Sequence, residues 1–519
     1  YTVPTMKHIF SDTRILDENA RRRFALTNDI MMENAASALH AALDAHFAAR
    51  QDAPHTVLIL TGSGDNGGDG MALARRLAGQ YAARVAVVRP PQSESCVAQY
   101  QRAQAAKVPF YTAPFDMNTV AEWVQCSGAV VDCVFGSGFH GELDGTLKAL
   151  FETVNRSAEE AGTFRLACDI PSGMAFRADV TVTMGALKTA LFSDVAKDCC
   201  GRIVCADLGI SRTLFESGAE AQAFLLEKSD MHVPERRAQN VHKGNFGHAA
   251  VVAGEKPCAG ILAACAAVRF GAGLCTVVSG TDVSLNPLLL EHGIMSGGSF
   301  PAKTTAVALG MGLGRNSSTA EKVAAWLAQG SSIPAVLDAD ILYSPLVAEL
   351  LHKRPAGLVL TPHVKECAAL FEQCGLGSYT TAQLAEQRFA CAAQFTAQFP
   401  EAVLVLKGAN TLVCHGGQIF VATAGCAALA KGGSGDVLAG IIGGLAAQQI
   451  PPFVLAMDGF YSGYEVELLT MFCRDLGYAL EVTDMSTDAM LPSVQTGKCV
   501  IGCGCRPMIR AKHHLSKRS

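Results

Sequence analysis

Short apolar runs that stop at glycine, aspartate or proline recur along the whole chain. Most are followed by stretches with helical spacing. TVLIL (56–60) ends in the glycine-rich stretch TGSGDNGGDG (61–70), and MALARRLAGQ (71–80) then spaces its apolar residues as a helix does. VAVV (85–88), AVVDCVFG (129–136), FRLACDIPSG (164–173), DVTVTMGALK (179–188) and GRIVCADLGI (201–210) each read as a strand closing into a loop. The rhythm lapses in FLLEKSDMHVPERRAQNVHKGNFG (224–247), a polar stretch without periodicity, so a linker is expected near 226–238. It restarts with HAAVVAG (248–254), LCTVVSG (274–280), TAVALGMGLG (305–314), PAVLDAD (334–340), GLVLTPH (357–363), AVLVLKG (402–408) and TLVCHGGQIFVAT (411–423). Strands alternating with helices predict two α/β domains, each a parallel sheet covered by helices on both faces. No repeat relates the two halves.

Composition agrees with this picture and narrows it. A chain of 519 residues exceeds one hydrophobic core, and a prior of ~150 residues per domain suggests roughly two to four domains. Half the residues are hydrophobic, 17% are charged and 50 are glycine, which suits turn-rich layers rather than disorder. The net charge of -5 argues against a nucleic-acid partner. The longest apolar stretches, such as AGILAACAAV (259–268), fall far short of the ~20 residues of a membrane span. The start, YTVPTMKHIF, lacks the basic-then-apolar layout of a secretion signal, and its missing Met suggests a processed or truncated beginning. A cytoplasmic protein without a membrane partner is expected.

The 19 cysteines, many in apolar runs (Cys133, Cys168, Cys205, Cys265, Cys275), read as reduced small hydrophobes. Cys499, Cys503 and Cys505, followed by His513 and His514, include no C-x-x-C pair, so no metal site is expected there.

The first glycine loop carries chemistry of its own. Gly62, Gly64 and Gly67 satisfy G-x-G-x-x-G, but a nicotinamide-binding unit wants an acid ~20 residues further on, where Arg89–Pro90 stand. No Gly-Lys-Ser/Thr follows, so it is not a P-loop. A tight turn accounts for one of Asp65, Asn66 and Asp69 as a cap, not for all three. Asp132 and Asp169 also fall at strand ends, where ligands sit in doubly wound sheets. Asn66, Asp132 and Ser172 offer hard oxygen ligands suited to a cation. The loop's acids then face a cation and ligand hydroxyls, while its backbone amides approach the rest of the ligand.

DNGGDG, VVDCVFGSG, CDIPSG and TVTMGALK, with MMENAA (31–36) upstream, resemble the epimerase domain of the bifunctional NAD(P)H-hydrate repair enzymes. The resemblance spans nearly the whole first half. It implies a Rossmann-like three-layer sandwich that epimerises hydrated NADH and NADPH (NADHX and NADPHX) with a potassium ion in the site. It implies substrate contacts from Asp65, Asn66, Gly67, Gly68 and Asp69, from Gly136, Ser137, Gly138, Phe139, His140, Gly141 and Glu142, and from Asp169, with Asp169 also catalytic. Its potassium ligands are Asn66, Asp132 and Ser172. The family often has Asn where Asp65 stands. Lys188 ends a strand, where a lysine is often simply solvated.

In the second half, ALAKGGSGDVLAGIIGGL (428–445) is the strongest signal. GGSGD opens a helix, so the amides of Gly433, Ser434 and Gly435 point at an anion with the helix dipole behind them. Asp436 just beyond is poorly placed to bind phosphate and well placed to take a hydroxyl proton beside one.

The pattern resembles the ribokinase-like fold, and LDAD (337–340), TPHVKE (361–366) and VLKGANT (405–411) fit its strand ends. Vitamin kinases of that fold usually have T-P-N-x-x-E. The T-P-H form, with HKGNFGHAAVVAG, GAGLCTVV and GMGLG, is similar instead to the NAD(P)H-hydrate dehydratases over about 235–490. That resemblance carries Ala259, Gly312, His363 and catalytic Asp436 to the hydrate. It carries Lys407, Gly408, Ala409, Asn410, Thr411 and Gly435 to ADP or ATP, with magnesium near Glu366. CAG (258–260) stands where the family commonly has Gly-Ala.

Together these imply an epimerase domain over 1–228, a dehydratase domain over 229–495 and a variable tail over 496–519. A homo-oligomer, with small-molecule partners only, is expected. Two rivals remain. A vitamin-type kinase fused to a non-catalytic sandwich module predicts Asn at 363, and an RNA-associated scaffold predicts eroded strand-end residues.

Overall fold

The computed structural model describes residues 6–50, 52–139, 141–230, 238–279, 294–315, 318–329, 332–450, 479–483 and 508–512. The chain forms two compact units, Lys7–Phe224 and Leu225–Ser519 with Tyr1–Met6.

In the first unit, seven parallel strands lie side by side in the order Phe110–Thr112, Ala82–Val87, Thr56–Thr61, Ala129–Cys133, Phe164–Cys168, Val180–Met184 and Arg202–Ala206. Alternation along the strands feeds two cores. Val57 and Ile59 join Leu39, Leu43, Leu73 and Leu77 on one face, whereas Leu58 and Leu60 join Val124, Leu150 and Phe151 on the other. That is the expected α/β sandwich with helices on both faces. Chain direction across the sheet reverses between Thr56–Thr61 and Ala129–Cys133, so the crevice of a doubly wound fold opens above those two strands.

Two details depart from the sequence pattern. DNGGDG is not a loop before a helix at 71–80, because the helix already runs Asp65–Leu77 with Gly64 as its cap. Its glycines serve close packing. A Cβ on Gly67 would fall 2.1 Å from the Gly62 carbonyl oxygen, and one on Gly70 would fall 2.8 Å from Cys133 Cβ. The run at 179–188 is also not one strand. It breaks at Gly185, whose φ of +73° only glycine adopts freely, and Leu187–Lys188 pairs instead with Lys7–Phe10, setting Phe10 opposite Lys188.

In the second unit, strands pair in the order Ile294–Gly297, Leu274–Ser279, His248–Ala253, Ala306–Leu309, Ala335–Leu337, Leu358–Leu360 and Val403–Leu406, all parallel. An antiparallel hairpin, Thr411–His415 and Gln418–Ala422, follows. Helices Pro257–Arg269 and Ser434–Ala447 touch almost backbone to backbone. Cβ atoms on Gly440 and Gly444 would lie 2.1 Å from the Ala263 oxygen and 2.4 Å from the Ala267 oxygen.

Ala479–Thr483 and Met508–Lys512 form a separate antiparallel ladder. Cys499, Cys503, Cys505, His513 and His514 lie outside the described residues, as does His140. Among the described residues no helix is long and apolar enough to cross a membrane.

Candidate active sites

The first site lies at the switch point of the first sheet. Gly62 donates its N–H to the Cys133 oxygen at 3.1 Å, and a Cβ there would be 1.9 Å from the Val134 oxygen, so the two strand-end loops touch. At its centre Asp169 adopts φ +65°, an uncommon conformation for aspartate, at the end of Phe164–Cys168. Its Oδ1 lies 2.7 Å from Lys188 Nζ and accepts from Met184 N–H at 3.2 Å, while Oδ2 accepts from Ser137 N–H at 3.0 Å. Burial pulls the Asp169 carboxyl upward, but the Lys188 ammonium and these donors outweigh it and hold the group below its ordinary range. Lys188 is therefore not a solvated strand-end lysine: it is only 4% exposed and is committed to this pair.

Asp69 shows the opposite behaviour. Buried in helix Asp65–Leu77, with the Cys168 thiol donating to Oδ2 at 3.8 Å, it is pushed well above the carboxylate range by burial and then by Asp169 and Asp65. Asp65 accepts from Ser93 Oγ at 2.6 Å.

Gly136 separates Asp169 from Asn66. A Cβ there would lie 3.1 Å from Asp169 Oδ2 and 3.3 Å from Asn66 Oδ1. Gly67 and Gly68 are buried in helix packing, Gly138 and Gly141 border open space, and Phe139 stacks on Phe135 with ring centroids 4.3 Å apart. Glu142 faces solvent beside Lys148 at 3.7 Å, so its side chain does not join this cluster.

Asp132 and Ser172 meet underneath. Asp132 Oδ1 accepts from Ser172 Oγ at 2.7 Å and Val134 N–H at 3.1 Å, and Oδ2 accepts from Ser172 N–H at 2.8 Å. Burial still pushes its carboxyl up to about 6 against these donors. Asn66 Nδ2 is buried with no hydrogen-bond partner among the described residues. Asp132 and Ser172 supply carboxylate and hydroxyl oxygens of the kind that suits a hard cation, whereas the unsatisfied atom of Asn66 is an N–H donor, which calls for an acceptor and leaves only its Oδ1 to offer a cation.

One residue escaped the sequence pattern. Asp17, on helix Arg14–Phe24, is half-buried and pushed up to about 6 by burial, with Lys188, Asp169 and Asp65 as its charged neighbours. The pairing of Phe10 with Lys188 brings it there, and no local motif marks it.

The second site is built on the same plan. Asp338, 2% exposed at the end of Ala335–Leu337, accepts from Thr361 Oγ1 at 2.7 Å and Lys407 Nζ at 2.8 Å through Oδ1. Lys407 also reaches Glu366 Oε2 at 3.7 Å. Burial draws its ammonium down, but Asp338 and Glu366 reverse this and hold it above its ordinary value.

His363 caps helix Val364–Gln373 through Nδ1, which accepts from Glu366 N–H at 3.2 Å, while Glu366 Oε2 accepts from His363 N–H at 2.8 Å. The ring's Nε2 is 3.3 Å from Glu366 Oε1, and burial raises the Glu366 carboxyl.

The N-terminus of helix Ser434–Ala447 closes the site. A Cβ on Gly435 would be 3.3 Å from Lys407 Nζ and 3.5 Å from Asp338 Oδ2. Ser434 Oγ is buried without a partner among the described residues. An anion bound to these amides would satisfy it. Asp436 is pushed up to about 6 by burial, then by Asp338, against Lys407. Ala259 and Gly312 are brought together, since the Ala259 Cβ lies 3.0 Å from where a Gly312 Cβ would sit. Lys407–Thr411 turns into the hairpin, with Gly408 pressed on the buried Arg388 guanidinium, which donates to the Leu406 oxygen at 3.0 Å. Ala409 approaches Gly425, while Asn410 is buried. Asp338, at the centre of this network, was visible in the sequence only as part of LDAD.

Comparison with known proteins assigns both units. The family model described as YjeF-related protein N-terminus matches residues 28–190, and NAD(P)H-hydrate dehydratase matches 249–462. A third, bacterial extracellular solute-binding proteins, family 3, matches 444–506 and overlaps the second over 444–462. A bifunctional NAD(P)H-hydrate repair enzyme of Helicobacter pylori is 38% identical over 465 residues, covering 87% of this chain and 94% of that one. One of Moorella thermoacetica is 31% identical, covering 86% and 89%. The ADP/ATP-dependent NAD(P)H-hydrate dehydratase of Bacillus subtilis, crystallised with ATP and Mg2+, is 28% identical, covering 46% of this chain and 86% of that one with a TM-score of 0.37.

Proposed function

The chain belongs to the bifunctional NAD(P)H-hydrate repair enzymes, and we propose that each unit performs one half of the repair. The first unit interconverts the R and S epimers of NADHX and NADPHX at the hydroxylated ring carbon. The second returns the S epimer to NADH or NADPH at the expense of ATP or ADP. The observation that carries this reading is that residues from each matched half converge at the carboxyl ends of parallel strands, with a carboxylate paired to a buried lysine at the centre of each cluster.

In the first site, Lys188 holds Asp169 below the ordinary carboxylate range and burial pushes Asp69 above it, the division of labour that acid–base chemistry on a hydroxyl requires. Asp69 gives a proton to the departing hydroxyl, and Asp169 takes one from the water returning on the other ring face. The roles exchange in the reverse direction. A potassium ion bound by Asn66, Asp132 and Ser172 would supply positive charge beneath the loop. Asp65 and the segment Gly136–Gly141 would hold the nucleotide portion.

In the second site, Ala259, Gly312 and His363 would position the hydrate, and Lys407–Thr411 with Gly435 the nucleotide. Hydroxide is a poor leaving group, so the ring hydroxyl is first phosphorylated, phosphate then leaves with electron push from the ring nitrogen, and the adjacent ring carbon loses a proton to water to restore the double bond. Asp436 accepts the hydroxyl proton, and the amides of Gly433–Gly435 hold the developing charge. A magnesium ion near Glu366 and Asp338 would neutralise the nucleotide's phosphates.

The vitamin-kinase alternative has lost its support, since the second half matches the NAD(P)H-hydrate dehydratases and bifunctional repair enzymes align across both halves. The test is to supply the full chain with purified R- and S-NADHX, with and without ATP or ADP. Both epimers should recover reduced-nicotinamide absorbance with nucleotide, and without it they should only interconvert. No recovery with either nucleotide would overturn the reading.

A further inference from the structure

The second site is rich in negative charge. Asp338, Asp340, Glu366 and Asp436 act on one another there, and the nearest cation, Lys407, is engaged by Asp338 and Glu366. A dinucleotide hydrate adds the charge of its diphosphate bridge, so a substrate approaching this cleft needs a cation outside the reacting centre.

Two cations without an ion-pair partner among the described residues stand on either side of Gly312. Lys256 donates its backbone N–H to the Gly312 oxygen at 2.8 Å, and its Cβ would be 2.9 Å from one placed on Gly312. Arg315 follows three residues later, exposed, with its guanidinium 4.3 Å above the Tyr343 ring. The turn between them is rigidly specified. Gly312 and Gly314 have φ of +59° and +83°, and Gly314 N–H donates to Asp340 Oδ2 at 2.9 Å. Glu255 packs on the same turn, with Oε1 2.4 Å from where a Gly314 Cβ would sit, yet it pairs with neither cation. A guanidinium held over an aromatic face has its rotamer freedom already restricted, and its planar set of N–H donors matches paired phosphate oxygens.

We propose that Arg315, held on Tyr343 and assisted by Lys256, forms an anion subsite for the diphosphate bridge of the dinucleotide hydrate. This rests on the reading of Ala259, Gly312 and Asp436 as the hydrate's site. It makes Arg315 a binding residue for the handle of the substrate, remote from the carbon that reacts.

The test uses the full chain at saturating ATP with two substrates, S-NADHX and the hydrate of reduced nicotinamide riboside, which has no phosphate. Arg315→Gln should raise KM for S-NADHX about tenfold, with a smaller change in kcat, and leave KM for the riboside hydrate unchanged. Arg315→Lys should recover part of the loss, and Tyr343→Leu should show a smaller rise of the same kind. An unchanged KM, an equal rise for both hydrates, or a rise in the KM for ATP instead would each overturn the subsite. A wild-type chain that converts neither hydrate would overturn the underlying site reading, and the proposal with it.

Discussion

Asp169 and Lys188 show how strongly one neighbour sets a residue's chemistry. Remove Lys188 and only burial and the hydrogen-bond donors act on Asp169, so its carboxyl must rise. Lys188→Met should therefore shift the acid limb of epimerisation to higher pH, read from pH–rate profiles of both proteins. Because the folded value is depressed, the pair contributes stability above the ordinary carboxylate range and loses it as pH falls through the folded value. Leaving Asp169 buried without its partner should cost about 3–5 kcal/mol near neutral pH, measurable by denaturant unfolding. Asp169→Asn should keep the fold and substrate binding while abolishing epimerisation, and wild-type rates would hand the role elsewhere. In the second unit Asp436, at about 6, must be ionised to accept a proton, so dehydration should fall as pH drops below about 6. Asp436→Asn should lower turnover by orders of magnitude with nucleotide affinity nearly intact. Most of these groups were legible because they end strands, but Asp17 and the partnership of Lys407 with Asp338 were not. They depend on pairings between segments far apart in the chain, such as Phe10 with Lys188 and residues 69 positions apart in the second site.

At the scale of elements, hydrophobic runs marked the strands because alternate residues fill two cores, and that pattern survives in sequence. Element ends were less legible. The helix starting at Asp65 was hidden because its first turns are glycine-rich, and glycine in sequence announces a loop. Its glycines answer to space rather than flexibility, which gives a sharp contrast. Gly67→Ala must displace backbone and should cost about 3 kcal/mol or more, whereas Gly64→Ala, with nothing within 4 Å, should cost less than about 1 kcal/mol in the same thermal or chemical melt.

At the scale of the molecule, the two candidate sites draw on different residues of the chain, so damage to one should spare the other. Asp132→Ala should impair epimerisation far more than dehydration, assayed on the same preparation with R- and S-NADHX. An equal fall in both activities with the fold intact would refute the assignment of Asp132. The two-unit plan was readable from the lapse in rhythm, whereas the overlap of two family matches at 444–462 follows no visible break in periodicity. The crowded glycines of helix Asp65–Leu77 also bear on how such chains diverge. A descendant that abandoned the chemistry could replace the Asp169–Lys188 pair as a unit, yet could not place a side chain at Gly67 without moving the backbone beside it. Space, not chemistry, therefore fixes the glycine at position 67.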